Sequence, residues 1–485
     1  MGIIAQVLGK FHGGVHPAEH KNLSEQCAIS TMPMPDELYV PLHQHIGSPC
    51  DPCVEAGSKV LKGQLIGRAA GFVSAPVHAP TSGTITEFRE YVVGHPSGLT
   101  MLCAILKPDG KDTWSKDLVG LDDPLKADPA DIRAKVRDCG IVGMGGATFP
   151  SFIKMSPPNK AVVELLLING VECEPYLTCD ARLMEERADD IVEGIRIMLN
   201  GLQTKLCAIG IENNKPKAIE VMEQAVKAYP EISVISLPVM YPQGGEKQLI
   251  EVVTGRQVPS GGLPINVGVI VHNVATAVAV RDAVADGKPP VSRSVTVTGL
   301  GINKPANLEV LNGTPVQALI DQCGGLKPNV DRVVMGGPMM GVALKSLDVP
   351  CVKGTSGILA LTPAEAHTAS EQACIRCGSC LSACPINLMP TEMSWLARHD
   401  QFDTLGDYNL FDCIECGSCS YVCPSNIPLV HYFRYGKMAI QNKAAEKKRG
   451  ELSKAATERK AARVEQEKLA REQRKAEMKA KMAAK

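Results

Sequence analysis

Two stretches of the chain carry cysteine at one spacing: CIRCGSCLSACP from Cys374 to Pro385 and CIECGSCSYVCP from Cys413 to Pro424. Both fit C-x2-C-x2-C-x3-C-P. Three thiolates on a short loop grip one iron–sulfur cubane, and the fourth cysteine of each run serves the other cubane. The spacing assigns Cys374, Cys377, Cys380 and Cys423 to one [4Fe–4S] cluster. It assigns Cys413, Cys416, Cys419 and Cys384 to a second. Gly378 and Gly417 let the backbone turn tightly around the metal. Two structural zinc knuckles are the competing reading, and two full copies each closed by Cys-Pro argue against it. Cys50 and Cys53 form a lone CDPC in a Pro-rich stretch, which reads as a turn. The remaining cysteines are scattered, and most read as small buried residues.

Each cluster carries one electron, whereas a hydride donor such as NADH delivers two. A flavin is the usual converter, so a nucleotide site is expected. The candidate is GIVGMGGATFP, from Gly140 to Pro150. A Rossmann fingerprint follows a strand, but here Pro129–Cys139 has a helical pattern. The glycines therefore fit a structural turn or an anion-binding nest about equally.

The elements that follow give such a loop a frame. Val162–Ile168 reads as a buried strand, Asp180–Leu202 as a helix and Leu206–Ile211 as a strand. Lys217–Tyr229 is helical, Ile232–Val239 a strand and Gly245–Thr254 a helix. Val267–Val271 is a strand running into helical Thr276–Ala285. Alternating βα units predict a doubly wound, mostly parallel sheet, with ligands at the carboxyl ends of its strands. Asn169-Gly-Val-Glu-Cys-Glu-Pro175, Tyr241-Pro-Gln-Gly-Gly-Glu-Lys247 and His272-Asn273 all fall at that edge. Three such loops at one edge favour a cofactor pocket.

Leu38–Phe88 carries two Gly-punctuated β segments, VEAGSKVLKGQLIG and VHAPTSGTITEF, which resemble a lipoyl/biotinyl-type β-sandwich. The place of the modified lysine falls near Phe72, so a swinging arm is excluded. Ser292–Gly325 alternates apolar and polar residues before a short helix and reads as a β-grasp insertion. Val333–Gly341 is a strand and glycine-rich turn. Thr391–His399 and Leu429–Ile440 read as helices.

A chain of 485 residues suggests two to four domains. Net charge is −1, but Lys443–Lys485 holds 15 Lys/Arg against 7 Asp/Glu, a local +8 that leaves −9 elsewhere. That tail reads as a solvated, partly helical extension, with attraction to anionic lipid or an acidic partner as the sharper alternative. No run of 18 apolar residues or basic-then-apolar start occurs, so the expected place is the cytoplasm. There, 18 cysteines point to metal ligands and buried thiols rather than disulfides.

KFHGGVHP (Lys10–Pro17), the lysine-free sandwich, GMGGATFP, NGVECEP, GGPMMG and the two ferredoxin runs together resemble the RnfC family. This is the peripheral electron-input subunit of the Rnf ion-translocating ferredoxin:NAD oxidoreductase complex. The centre is also similar to the flavin-carrying NADH-dehydrogenase subunit of respiratory complex I. The resemblance implies an α/β multidomain chain. Residues 1–110 would hold the N-terminal segment and lipoyl-like sandwich, 125–290 a Rossmann-like FMN/NADH domain, and 291–362 an SLBB-like β-grasp insertion with its return segment. Residues 363–442 would form a 2[4Fe–4S] ferredoxin-like helical domain and 443–485 a charged tail.

It also implies that Gly143, Gly145, Gly146 and Ala147 line the FMN phosphate and ribityl chain. Phe149 would be the aromatic beside the nicotinamide nucleotide, and Lys154 a phosphate-side cation. Asn169, Glu172 and Glu174 would face the flavin and dinucleotide. Gly245, Glu246 and Asn273 match further family positions, with Lys247 and His272 departing from the pattern. The implied function is hydride exchange between NAD(H) and FMN, then single-electron transfer through the clusters. The implied partners are NAD(H) and other Rnf subunits, including integral membrane subunits and an iron–sulfur subunit that contacts ferredoxin, with no nucleic acid. The implied location is peripheral, on the cytoplasmic face of the bacterial inner membrane. A soluble cobalamin reductase and a non-enzymatic electron wire are the alternatives.

Overall fold

The computed structural model describes residues 3–4, 9–95, 97–158, 161–366 and 369–483. The outer ends of the expected first and last segments, residues 1–2, 5–8 and 484–485, lie outside them. The chain forms two compact units: Met1–Asn387 with Cys416–Ile427, and Leu388–Glu415 with Pro428–Lys485.

The first unit is built around a four-stranded parallel sheet. Its order across the sheet is Ile232–Leu237, Cys207–Glu212, Leu165–Asn169, Val269–Asn273. Such strands are covered on both faces, so they read as continuous apolar runs. In LLLIN, Leu166 and Ile168 enter one core with the helices Ala188–Leu202 and Val274–Asp286. Leu165 and Leu167 enter the other, with the helix Glu246–Thr254. The expected helix from Asp180 to Leu202 is two helices, Cys179–Glu186 and Ala188–Leu202, broken at Arg187 (φ −131°). Its side chain turns to Asp190 at 2.7 Å and Asp282 at 3.2 Å.

The sandwich pairs a four-stranded antiparallel sheet with a three-stranded one over a core of Leu38, Val40, Ile66, Ile85 and Leu106. CDPC is a strand of this sandwich, Cys50–Pro52, rather than a turn. It pairs with Gly67–Ala69 while Cys50 is buried. The β-grasp region is a six-stranded sheet containing Ser292–Thr298, Ala306–Leu311, Arg332–Met335 and Gly357–Leu361. One edge strand, Ile29–Thr31, comes from near the start of the chain and pairs in parallel with Asn307–Glu309.

The second unit packs the helices Pro390–Arg398 and Phe402–Asp407 against the start of one 55-residue helix, Leu429–Ala483. Gly436 permits that approach: a Cβ there would lie 2.6 Å from Leu405 Cδ2. Glu415 pairs with Arg434 and Lys437, each at 2.8 Å. At 1.5 Å per residue the long helix runs ~80 Å, and the part beyond Lys443, most of its length, is exposed almost throughout.

Candidate functional site

The chain leaves the strand Leu165–Asn169 in one direction to build two strands, then returns to add Val269–Asn273 on its other side. The crevice between these two strand ends is where open α/β sheets bind ligands. The glycine-rich loop sits against it: a Cβ on Gly145 would lie 3.3 Å from that of Asn273. The loop is closed at its base. Gly143 N–H donates to Phe149 O at 2.8 Å and Thr148 N–H to Gly143 O at 3.1 Å. It is anchored from behind as well. Met144 N–H donates to Thr276 Oγ1 at 2.9 Å, and Arg293 Nη2 donates to Met144 O at 2.8 Å. Gly145, Gly146 and Ala147 are exposed at the tip, and among the described residues their N–H groups find no protein acceptor. Gly146 has φ +107°, with nothing within 4 Å of a Cβ placed there. Its glycine is required by backbone conformation, and the space before it is open.

A buried polar network joins this loop to both strand ends. Asn273 caps the helix Val274–Asp286 through Ala275 N–H at 2.8 Å and donates to Asp180 Oδ2 at 2.6 Å. Asp180 lies 3.8 Å from the buried Arg293 guanidinium. Burial pushes the Asp180 carboxyl up to about 6, against the opposing pull of Arg293. Asp180 Oδ1 and Arg293 Nε have no hydrogen-bond partner in the protein.

The other expected site residues are placed as follows. Asn169 donates to Gly244 O at 2.8 Å, tying its strand end to the Tyr241–Lys247 loop. Glu172, at φ +48°, accepts from the N–H groups of Asp180 at 2.7 Å and Ala181 at 3.3 Å, so it caps the helix Cys179–Glu186. Glu174 accepts from Met339 and Met340 N–H at 3.1 and 3.0 Å, which fixes the GGPMMG turn. Burial raises its carboxyl to about 7. Lys154 pairs with Glu246 at 2.6 Å and reaches Val271 O at 3.2 Å. Gly245 begins the helix that carries Glu246. Phe149 is half-buried at the foot of the loop. His272 is buried, and desolvation lowers its pKa to about 3, leaving the ring neutral.

The two cysteine runs repeat in backbone as well as in sequence. Arg376 and Glu415 both have φ +57°, Gly378 and Gly417 have +79° and +83°, and Asn387 and Asn426 have +55° and +51°. Cys377 and Cys416 Sγ each approach a serine hydroxyl two residues on, at 3.4 Å. Ser425 beyond the second run bonds Ala373 O before the first at 2.9 Å, and Gln372 N–H returns to Ser425 O at 2.8 Å. These contacts bring the Cys374 end beside the Cys423 end. Burial, and to a smaller degree neighbouring Cys384, push the Cys416 thiol up. No disulfide is present among the described residues.

Four family models match successive parts of the chain. Residues 9–111 match the RnfC barrel sandwich hybrid domain and 136–282 the Nuo51 FMN-binding domain. Residues 294–343 match the SLBB domain and 373–427 a 4Fe-4S dicluster domain. A relative from Rhodobacter capsulatus, named as part of an ion-translocating oxidoreductase complex, is 47% identical over 436 residues, 90% of this chain and 84% of the relative. A second, from the proton-translocating ferredoxin:NAD(+) oxidoreductase complex of Clostridium ljungdahlii, is 44% identical, covering 93% of this chain and 96% of its own. The chain belongs to the RnfC family. Among solved structures, an NAD+-reducing [NiFe]-hydrogenase in its air-oxidized state aligns over 60% of each chain, with 17% identity and a TM-score of 0.46.

This RnfC chain is a flavin and iron–sulfur electron-transfer subunit, with an FMN-binding and a dicluster domain. No described helix is long and apolar enough to cross a membrane. The residues present fit a flavin phosphate: an open, exposed glycine tip with unused N–H donors, backed by a buried guanidinium. Sequence reasoning marked neither Asp180 nor Arg293 as a site residue. It also passed over Thr276, the Tyr241 side chain and Lys21, whose Nζ donates to the carbonyls of Glu172, Glu174 and Leu177. Lys353, too, went unremarked; its buried Nζ joins Pro76 O and Gly140 O at 2.9 and 2.8 Å. Charged residues that must be buried with partners far along the chain leave no local periodic signal.

Proposed function

We propose that this RnfC chain exchanges a hydride between NAD(H) and FMN and passes electrons singly through two [4Fe–4S] clusters to other subunits of a membrane complex. That exchange would couple ferredoxin and NAD redox chemistry to ion movement. The observation that supports it most is the exposed Gly145–Ala147 tip at the switch point of the parallel sheet. When bound, FMN takes electrons in a pair and releases them one at a time, which matches a two-electron donor to one-electron clusters.

The chain's own residues then divide the work. The loop N–H groups hold the phosphate, and Arg293 behind Met144 makes the loop a more positive seat. Asn273 and Asn169 fix the two strand ends on which the loop rests. Phe149 offers a ring face to the nicotinamide nucleotide. The Lys154–Glu246 pair offers one charge of each sign at the same edge. Cys374, Cys377, Cys380 and Cys423 would hold one cluster; Cys384, Cys413, Cys416 and Cys419 the other.

The test is cofactor analysis and reduction of the purified, anaerobically prepared full chain. The expected result is about one FMN and eight iron per chain, with flavin absorbance bleached by NADH and two EPR-visible clusters appearing. Intact clusters without flavin would instead mark an electron wire. Bleaching by a thiol but not by NADH would remove the dinucleotide from the scheme.

A further inference from the structure

The Tyr241 hydroxyl donates to the carbonyl oxygen of Cys416 at 2.7 Å, and the ring around it is buried. Its backbone is clamped: Tyr241 N–H donates to Val15 O at 2.9 Å, and Val15 N–H to Tyr241 O at 2.8 Å. The same hydroxyl lies 3.4 Å from Glu174 Oε1, the carboxylate that holds the N–H groups of Met339 and Met340. Met339 O in turn lies 2.8 Å from the position of a Cβ on Gly417. One side chain and one peptide, both fixed by Glu174, therefore buttress consecutive residues of the second cysteine run. The first run differs, because its equivalent Cys377 is exposed whereas Cys416 is buried. A phenylalanine would fill the same space, and a hydroxyl is costly to bury without a partner. The presence of the O–H at this place thus calls for a role.

We infer that Tyr241 is a positioning residue for the cluster that Cys416 ligates, and that its O–H raises the reduction potential of that cluster alone. The inference rests on the assignment of Cys416 as a ligand. A hydrogen bond given to the carbonyl of a ligand residue draws electron density out of that peptide and sets a positive hydrogen against the ligand loop, which favours the reduced, more negative form of the cluster the loop carries; local polarity and exposure are among the levers that set such potentials. Two clusters on twin loops would then differ in potential because one loop has a tyrosine over it.

The test is an EPR-monitored redox titration of full-length wild type, Tyr241→Phe, Cys416→Ser and the double variant, with iron and flavin contents measured alongside. In Tyr241→Phe the reduction equilibrium of one cluster should shift about tenfold toward the oxidised form, ~59 mV for one electron. The other cluster, and the iron and FMN contents, should match wild type. In Cys416→Ser one cluster is lost, and adding Tyr241→Phe leaves the survivor unmoved. Two unchanged midpoints in Tyr241→Phe, two that move together, or a shifted survivor in the double variant would overturn the inference. Retention of both clusters in Cys416→Ser would instead overturn the ligand assignment beneath it.

Discussion

Replacing Arg293 with methionine probes the support of the glycine loop, and its cost follows from two contacts. The first is the hydrogen bond from Nη2 to Met144 O at 2.8 Å. Loss of a charged donor to a buried carbonyl costs about 1.5–3 kcal/mol, independent of pH. The second is the attraction to Asp180 at 3.8 Å. At an effective dielectric of 20 that attraction is about 4 kcal/mol, but Asp180 can escape the loss by taking a proton. Its carboxyl is raised by burial to about 6. Folded Asp180 therefore holds more proton than the unfolded residue between about pH 4 and 6, and its ionisation lowers stability as pH rises through that window.

At pH 6 neutralisation costs almost nothing, so Arg293→Met should lose about 2 kcal/mol. Each further pH unit adds about 1.4 kcal/mol until the orphaned carboxyl itself ionises, giving about 4–5 kcal/mol at pH 8. Urea-induced flavin release, followed by recovery of flavin fluorescence, reads this out. The midpoint difference between wild type and variant should widen from pH 6 to pH 8. Adding Asp180→Asn should remove most of the pH-dependent part. A difference that is constant with pH, or that widens toward acid, refutes the reasoning.

Cys377→Ser and Cys416→Ser should each lower iron by about half and remove one EPR signal while FMN remains bound, as measured by iron assay and flavin extraction. Gly146→Ala places a side chain at φ +107° in open space. The strain of about 1–3 kcal/mol should weaken FMN binding roughly 5- to 150-fold in a fluorescence titration, with both clusters intact. Gly436→Ala crowds Leu405 and Leu410; overpacking of about 1–3 kcal/mol should lower the melting temperature of the helical unit by circular dichroism without changing flavin content.

Much of the architecture was legible because its signals are local. LLLIN, CAIGIE and VIVHN are apolar runs between helical patterns, and each is a strand of the parallel sheet within a few residues of the expected bounds. The cysteine spacing and its repeat were plain, and the backbone angles repeat with them. What could not be read depends on distant partners. Ile29–Thr31 is a strand only because Asn307–Glu309 lies beside it. Arg187 breaks a helix because Asp190 and Asp282 draw its side chain aside. Glu172 and Glu174 sit in a motif that pointed to nucleotide contact. Their carboxylates are engaged by a helix end and by the GGPMMG turn, which no spacing rule reveals.

The KFHGGVHP segment threads past the end of the first cysteine run: His12 Nδ1 meets Cys384 O at 2.9 Å, and Gly14 N–H bonds Ala383 O at 3.1 Å. His12 and Cys384 are 372 positions apart. At 5–20 residues per second, the ribosome exposes the early segment roughly 20–75 s before its counterpart emerges. The turn that carries Cys384 is therefore completed late in biogenesis, and a nascent chain stalled short of that residue leaves His12 and Gly14 without these partners while Val15 already has Tyr241.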